Sequence, residues 1–346
     1  MSNVPAGVAA LVGRNLHKQP LHPLNIVSRR IQNHFRDFKV FDDLAPQVSV
    51  AQCFDQLNVP QDHISRKPSD TFYLDALHVL RTHTSAHQNQ LLMQGHERFL
   101  VFGDCYRRDQ IDATHYPVFH QVEGVKTWRK GQVTDETVIE DLKQNLEGLT
   151  KSLFQNRELE IRWVDAYFPF THPSLEMEVR FRDDWLELLG CGVIQKNILA
   201  NCGREGENGW AFGIGLERIA MTLFSIPDIR LFWSQDPRFI NQFASGEVIQ
   251  FQPYSKFPPC PKDISFWIPE LYNSNDFYAL VRDIAGDLVE NVELVDEFTH
   301  PKTNRQSHCY RIIYRSMDRS LLNSEVNDLQ EKVRQDVVGT LGVELR

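Results

Sequence analysis

The sequence predicts an α+β fold of more than one domain, and three patterns predict it. Residues 101–124 read as strand, polar turn and returning strand. Residues 210–223 pass from an apolar strand through two glycines into a helix, and residues 262–341 follow the order β, α, β, β, α. The chain has 346 residues, 42% of them hydrophobic, which suffices for two or three domains with sizeable cores. Its six cysteines, Cys53, Cys105, Cys191, Cys202, Cys260 and Cys309, are scattered without a C-x-x-C pair, which argues against a disulfide framework or zinc site and for a reducing compartment. No apolar run approaches a membrane span. The net charge of −9 is awkward for an RNA partner, so any RNA surface must be local.

In the first pattern, residues 101–109 form one predicted strand that places Arg107 and Asp109 on the same side. Residues 110–117 are turn-like, and the return strand, 118–124, aligns Phe119, Gln121 and Glu123. If the two faces coincide, the hairpin offers guanidinium for a phosphate, a phenyl ring for a base and carboxylates for amino groups. The alternative is a surface hairpin with ordinary charges.

Phe168 and Phe170 flank Pro169, whose fixed backbone is expected to turn both rings to one side; the alternative is an ordinary core pair. In the apolar segment Trp185-Leu186-Glu187-Leu188-Leu189-Gly190-Cys191-Gly192, the Glu187 carboxylate must be paired or ligate something. His78, His83 and His87 lack the general-base Glu of a zinc-protease helix, and their polar neighbours suit gripping the charged ends of an amino acid.

The strand-to-helix pattern is Trp210-Ala211-Phe212-Gly213-Ile214-Gly215-Leu216-Glu217-Arg218, with Leu216, Ile219, Ala220 and Leu223 as the apolar helix face. Gly213 and Gly215 admit a ligand close to the backbone, and Arg218 projects toward that space from the first turns. A dinucleotide fingerprint would need a third glycine where Arg218 stands, and a P-loop is absent. Two separated arginines, Arg107 and Arg218, remain beside nucleotide-suited surfaces.

With these residues in view, the chain resembles class II aminoacyl-tRNA synthetases. Tyr106-Arg107-Arg108-Asp109, followed by Phe119 and Glu123, is similar to motif 2, with Asp109 in place of the more usual Glu. Gly213-Ile214-Gly215-Leu216-Glu217-Arg218 is similar to motif 3, and Pro46 stands where motif 1 would lie. Within the class, Leu80-Arg81-Thr82-His83-Thr84-Ser85-Ala86-His87-Gln88, Asp112-Ala113-Thr114-His115, Phe119-His120-Gln121-Val122-Glu123-Gly124 and Phe168-Pro169-Phe170 resemble the phenylalanyl enzymes of the single-chain mitochondrial type. Cys53-Phe54-Asp55-Gln56-Leu57, with Pro60 and His63, fits as well.

The resemblance implies a class II antiparallel sheet flanked by helices over residues 31–245, preceded by an extension, 1–30. A linker, 246–253, would lead to a ferredoxin-like α/β sandwich that binds the anticodon, 254–346. It implies ligation of L-phenylalanine to tRNA(Phe) through phenylalanyl-adenylate, with Mg2+ accompanying ATP, by a monomer of the mitochondrial matrix without membrane contact. Arg107 on the α-phosphate and Arg218 on the γ-phosphate would be the catalytic pair. Asp109, Thr114, His115, Tyr116, Phe119 and Glu187 would complete the ATP site, with Phe119 stacked on adenine and Glu187 facing magnesium. His83, Ser85, Ala86, His87, Gln88, Gln121, Val122, Glu123, Phe168, Phe170, Ala211 and Phe212 would bind phenylalanine, the two phenyl rings meeting the substrate ring edge to face over an Ala211 floor.

The first 36 residues carry no Asp or Glu yet include Arg14, Lys18, Arg29, Arg30 and Arg36, a bias of organelle presequences. Gly13-Arg14-Asn15-Leu16-His17 and His22-Pro23-Leu24 already resemble the mature family, which confines any presequence remnant to residues 1–12.

Toward the C-terminus, strands are predicted at 262–268, 289–298 and 308–314 and helices at 275–286 and 324–341, after a Pro-rich run at 257–261 that marks a linker. Within residues 300–320, Lys302, Arg305, Arg311, Arg315 and Arg319 face Asp318 alone, with Tyr310 and Tyr314 interleaved. Alternation puts Arg311 and Arg315 on one face, either a track for RNA backbone or a solvated sheet face. The resemblance assigns tRNA binding to Lys302, Arg305, Arg311 and Arg315. Because every implied ATP and amino-acid contact precedes residue 254, removing the C-terminal domain is expected to spare adenylate formation. Two rivals stand beside this reading. One is the catalytic subunit of a two-subunit enzyme, which would end soon after motif 3; the other is a non-catalytic RNA-binding paralogue, in which Arg107, Glu123 and Arg218 would be idle.

Overall fold

The structure, a computed structural model, describes residues 2–155, 159–181, 184–253 and 257–346. The N-terminal part is built on β1 (Lys39–Phe41), β4 (Arg98–Tyr106), β5 (Val118–Trp128), β6 (Ile161–Ala166), β7 (Thr171–Phe181), β8 (Asp184–Ile194) and β9 (Asn208–Gly215). They lie in the order β1-β4-β5-β9-β8-β7-β6. All neighbours pair antiparallel except β1 and β4, so the sheet is mixed only at that edge. A small ribbon of β2 (Gln47–Ser49) and β3 (His78–Leu80) packs beside it.

Strand alternation decides which side chains reach which face. Leu100, Phe102, Val122, Phe212 and Ile214 enter one core with the helices Pro23–His34, Asp135–Phe154 and Leu216–Phe224, whereas Phe99, Val101, Val125 and Ala211 point to the other side. Helix Asp135–Phe154 starts where the Thr134 hydroxyl accepts from the Thr137 amide, with Asp135 and Glu136 in its first turn. It buries Val138, Leu142, Leu146, Leu149 and Leu153 along one stripe. Helix Leu216–Phe224 buries Leu216, Ile219, Ala220 and Leu223, the face its spacing predicts.

The C-terminal domain has β10 (Cys260–Trp267), β11 (Val289–Thr299), β12 (Gln306–Tyr314) and β13 (Glu344–Leu345) in the order β11-β12-β10-β13. Helices Ser274–Ala285 and Asn323–Leu341 cover it around Phe266, Phe277, Val281, Tyr310, Val333 and Val337. The five predicted elements lie within two residues of their observed bounds, and the ferredoxin-like layer of sheet and helices is present. Two residues were too few to predict β13, and the Pro-rich run enters β10 at Cys260, so it is not wholly a linker.

The hairpin differs from expectation. β4 ends at Tyr106, so Arg107 and Asp109 do not share a strand face. The Arg107 amide still donates in register to the Pro117 carbonyl at 3.1 Å, but Pro117 has no N–H to return the bond, and the chain leaves the ladder at Arg108, whose amide donates to the Asp70 carbonyl at 2.9 Å. Ile111 then drops into the C-terminal core.

Candidate active site

A cavity of about 640 Å³ opens on the sheet face opposite the three helices. Gln121 and Glu123 reach it from β5, Ala211 and Gly213 from β9, Glu187 and Gly190 from β8, Phe168 and Phe170 from the β6–β7 connection, and His83 and Ser85 from the segment after β3. Arg107, Asp109, Thr114, His115, Tyr116, Phe119 and Arg218 complete the wall. The two arginines and the two phenylalanines, distant in sequence, thus meet around one space. Glu123 pairs with Gly213, which in turn pairs with Gly190. Gly190 is needed there, because a Cβ at that position would come within 2.6 Å of the Phe168 ring. The Phe168 and Phe170 rings are nearly parallel to one another, with centroids 5.9 Å apart and planes at 16°.

The Arg107 guanidinium lies 5.0 Å from the centroid of the Phe119 ring, and its Nε donates to the Thr82 carbonyl at 2.9 Å. At the opposite end, Arg218 Nη1 is 3.4 Å from the Glu187 carboxylate and donates to the Glu187 carbonyl. Glu187 is half exposed, so the cost of a carboxylate in an apolar strand is met by the cavity opening and by Arg218. Beside it stands Glu176, which sequence reasoning missed. Burial, then the neighbouring Glu187 and Glu178, raise its carboxyl above the ordinary range. No local sequence pattern marked it; the β7–β8 register, which sets it opposite Gly190, brings it to the cavity.

Glu123 is the most unusual group. Its side chain is buried, and neither carboxylate oxygen has a partner of hydrogen-bond geometry among the described residues. Burial pushes the carboxyl up to about 8, opposed in part by the nearby Ser85 hydroxyl. His83 is pushed down to about 3 by burial and by Arg107, which leaves it neutral, and its Nδ1 has no partner among the described residues. Such orphaned polar atoms call for a ligand. His115 is raised by its 2.7 Å contact with Asp112, whose carboxylate also accepts the Thr114 and His115 amides and so fixes the turn.

Several predicted site residues lie elsewhere. Val122 points into the helical core, as its odd position on β5 requires, and Phe212 borders the cavity while its ring packs against Phe35 and Trp210. Ala86 belongs to the core beneath β2 and β3. His87 is buried with its Nε2 2.9 Å from Arg81 and is lowered to about 4 by burial and that guanidinium. Gln88 is buried and donates to Asn89. Ala86, His87 and Gln88 lie behind the binding segment and do not line the cavity. Arg81, itself buried, pairs with Asp104 at 2.8 Å and donates to the carbonyls of Asp104 and Leu44, anchoring that segment to β4. Tyr116 reaches the cavity edge, but its hydroxyl donates to Asp287 at 2.7 Å and its ring stacks on Trp233.

The expected basic strand also changes character. Arg311 pairs with Asp263 at 2.8 Å, Arg305 with Glu344 at 2.6 Å, and Arg315, which lies beyond the end of β12, with Glu290 at 2.8 Å. The acids come from β10, β13 and β11, too far along the chain for a local charge count to see. Lys302 is exposed in the β11–β12 turn. The described residues hold no cluster of three or more metal-ligating side chains, all six cysteines are free, and no described helix is long and apolar enough to cross a membrane.

Comparison with known proteins matches residues 8–243 to the family "tRNA synthetases class II core domain (F)" and residues 255–346 to "Ferredoxin-fold anticodon binding domain". The chain is 54% identical to the chloroplastic/mitochondrial phenylalanine–tRNA ligase of Arabidopsis thaliana, covering 100% of this chain and 83% of that one. It is 49% identical to the mitochondrial phenylalanine–tRNA ligase of Mus musculus, covering 100% and 86%. The phenylalanine–tRNA ligase alpha subunit of Laribacter hongkongensis is 40% identical over 67% of this chain and 71% of its own. The chain belongs to the class II tRNA synthetases and, among them, to the phenylalanine–tRNA ligase family.

Proposed function

We propose that this chain activates L-phenylalanine with ATP and transfers it to tRNA(Phe). The observation that carries the reading is Glu123, a buried, unpartnered carboxylate beside neutral His83 with an aromatic pocket next to it. An amino acid satisfies this arrangement in one piece. Its ammonium ionises and pairs with Glu123, Gln121 and Ser85 supply further polar contacts, and its phenyl ring enters the space between Phe168, Phe170 and Ala211. Tyrosine would bring a hydroxyl into that apolar space, at a cost of about 1–3 kcal/mol when unpaired.

In the first step the phenylalanine carboxylate attacks the α-phosphorus of ATP and pyrophosphate leaves. In the second, the terminal ribose hydroxyl of tRNA attacks the carbonyl of the adenylate and AMP leaves. No side chain of this protein forms a covalent intermediate. Arg107 holds the α-phosphate, Arg218 the γ-phosphate, Phe119 the adenine, and Asp109, Thr114, His115 and the edge residue Tyr116 border the nucleotide. Glu187 and Glu176 offer the hard oxygen donors that suit Mg2+ beside phosphates. Magnesium there would neutralise phosphate charge; opening toward the cavity, Glu187 is also free to exchange Arg218 for that ion.

Lys302, Arg305, Arg311 and Arg315 are the proposed tRNA contacts, with residues 31–245 as the catalytic unit, 246–253 as linker and 254–346 as the anticodon-binding unit. The relatives named mitochondrial support a place in the mitochondrial matrix, and the single chain supports a monomer. The exposed ion pairs hold Arg305 and Arg311 by only about 0–1 kcal/mol each, so a phosphate can displace their acids, whereas the Arg315–Glu290 pair is partly buried. Reversing Arg311 and Arg315 together is expected to weaken tRNA binding and to lower the salt slope by about one for each phosphate that is no longer engaged. An unchanged affinity and slope would remove both residues from the RNA surface.

The pocket floor has its own test. Ala211→Gly removes one methyl group and is expected to admit para-substituted phenylalanines in pyrophosphate exchange, one methylene-sized change being worth about 1–3 kcal/mol of discrimination. If the relative use of such analogues does not change, Ala211 is not the floor.

A further inference from the structure

The loop between β4 and β5 carries the ATP-facing residues Asp109, Thr114 and His115, yet much of what holds it belongs to the other domain. Ile111 is buried in the C-terminal core, and its carbonyl accepts from the Val292 amide at 3.0 Å. Arg282, on helix Ser274–Ala285, donates from Nη1 to the Asp109 carbonyl at 3.2 Å and from Nη2 to that of Gln110 at 3.0 Å. Arg108 is 3.1 Å from Asp276, and Tyr116 closes the far end on Asp287. Within the loop Asp112 fixes the Thr114–His115 turn, whereas the carbonyls of Asp109, Gln110 and Ile111 are held from outside by these contacts.

We propose that Arg282 of the C-terminal domain is a positioning residue of the ATP site, fixing the Asp109 and Gln110 carbonyls so that the loop presents Asp109 and His115 to the nucleotide. The proposal rests on reading the cavity as the ATP site. It also revises the expectation that removing the C-terminal domain spares adenylate formation, because that removal would strip Ile111 of its core and the two carbonyls of their donor.

The guanidinium is suited to the task. Its planar fork spans two successive carbonyls at once, which an ammonium reaching one of them does not. Ordering the loop before ATP arrives lowers the entropy lost on binding, so the effect belongs in ATP affinity and leaves phenylalanine affinity untouched.

The test is phenylalanine-dependent ATP–pyrophosphate exchange by full-length Arg282→Met and Arg282→Lys, with KM measured for both substrates. Arg282→Met is expected to raise KM for ATP roughly tenfold, because the loop carbonyls no longer have their two donors. KM for phenylalanine should stay within about twofold, and Arg282→Lys should fall between. Hydrogen exchange at residues 108–116 should accelerate and slow again on adding ATP. A purely structural role would lower the active fraction, reducing kcat and leaving both KM values alone. If Arg282→Met does not fold, Arg282→Lys carries the same measurement. Unchanged KM for ATP in a folded variant, while Arg107→Ala still suppresses exchange, overturns the proposal alone; absence of exchange in the unmodified chain overturns the reading of the cavity and this proposal with it.

Discussion

Arg107→Ala and Arg218→Ala are each expected to suppress phenylalanine-dependent pyrophosphate exchange while the melting temperature stays close to that of the parent. Each removes a charge-assisted interaction worth roughly 1.5–3 kcal/mol, or about 10- to 150-fold in kcat/KM, and more where it strengthens as charge develops on the phosphates. Stability should change little, since Arg218 is about half exposed and its pair with Glu187 is of the weak surface kind. The two variants should differ in one respect. Arg107 also packs on Phe119, so its loss should weaken nucleotide binding as well as turnover. Near-normal exchange in both would remove the phosphate assignments.

Glu123→Gln is expected to do opposite things to activity and to stability. In the unfolded chain this carboxyl ionises near its ordinary 4.5, and in the folded chain near 8. Between these values the unfolded state holds fewer protons than the folded one, so this group costs stability as pH rises from about 4.5 to 8. At pH 7 the cost is at most about 3 kcal/mol. The amide variant escapes it, and should melt higher than the parent at pH 8 and alike at pH 4.5. Phenylalanine recognition should suffer, by roughly 1.5–3 kcal/mol for the missing charged partner.

In the parent, phenylalanine affinity should rise with pH up to about 8, because the ammonium binds only the ionised carboxylate and expels its proton below that pH. The variant should lack that dependence. A melting curve and KM for phenylalanine that do not respond to the substitution would show that Glu123 is neither strained nor at the amino-acid site.

The strand-to-helix turn at Gly213 and Gly215 was legible because its signals are local: apolar alternation, two glycines and a 3.6-residue stripe. The C-terminal elements were legible for the same reason, short β13 excepted. Period-two reasoning placed Phe119, Gln121 and Glu123 on a common face and should equally have turned Val122 away, but the resemblance, which supplied Ala211, Val122 and Phe212, covers whole motifs without separating their faces. The end of β4 at Tyr106 was not legible, because a tertiary partner, the C-terminal core that takes Ile111, pulls the following loop out of the sheet. Nor were the acids opposite Arg305, Arg311 and Arg315, supplied by other strands.

Phenylalanine activation is tested most directly by ATP–pyrophosphate exchange with the purified full chain, run separately with phenylalanine, tyrosine and the other amino acids, followed by charging of tRNA(Phe). Exchange with phenylalanine, far weaker exchange with tyrosine, and transfer of phenylalanine to that tRNA are expected. No phenylalanine-dependent exchange, or equal exchange with tyrosine, would contradict the assignment of Glu123, Phe168, Phe170 and Ala211 to a phenylalanine site.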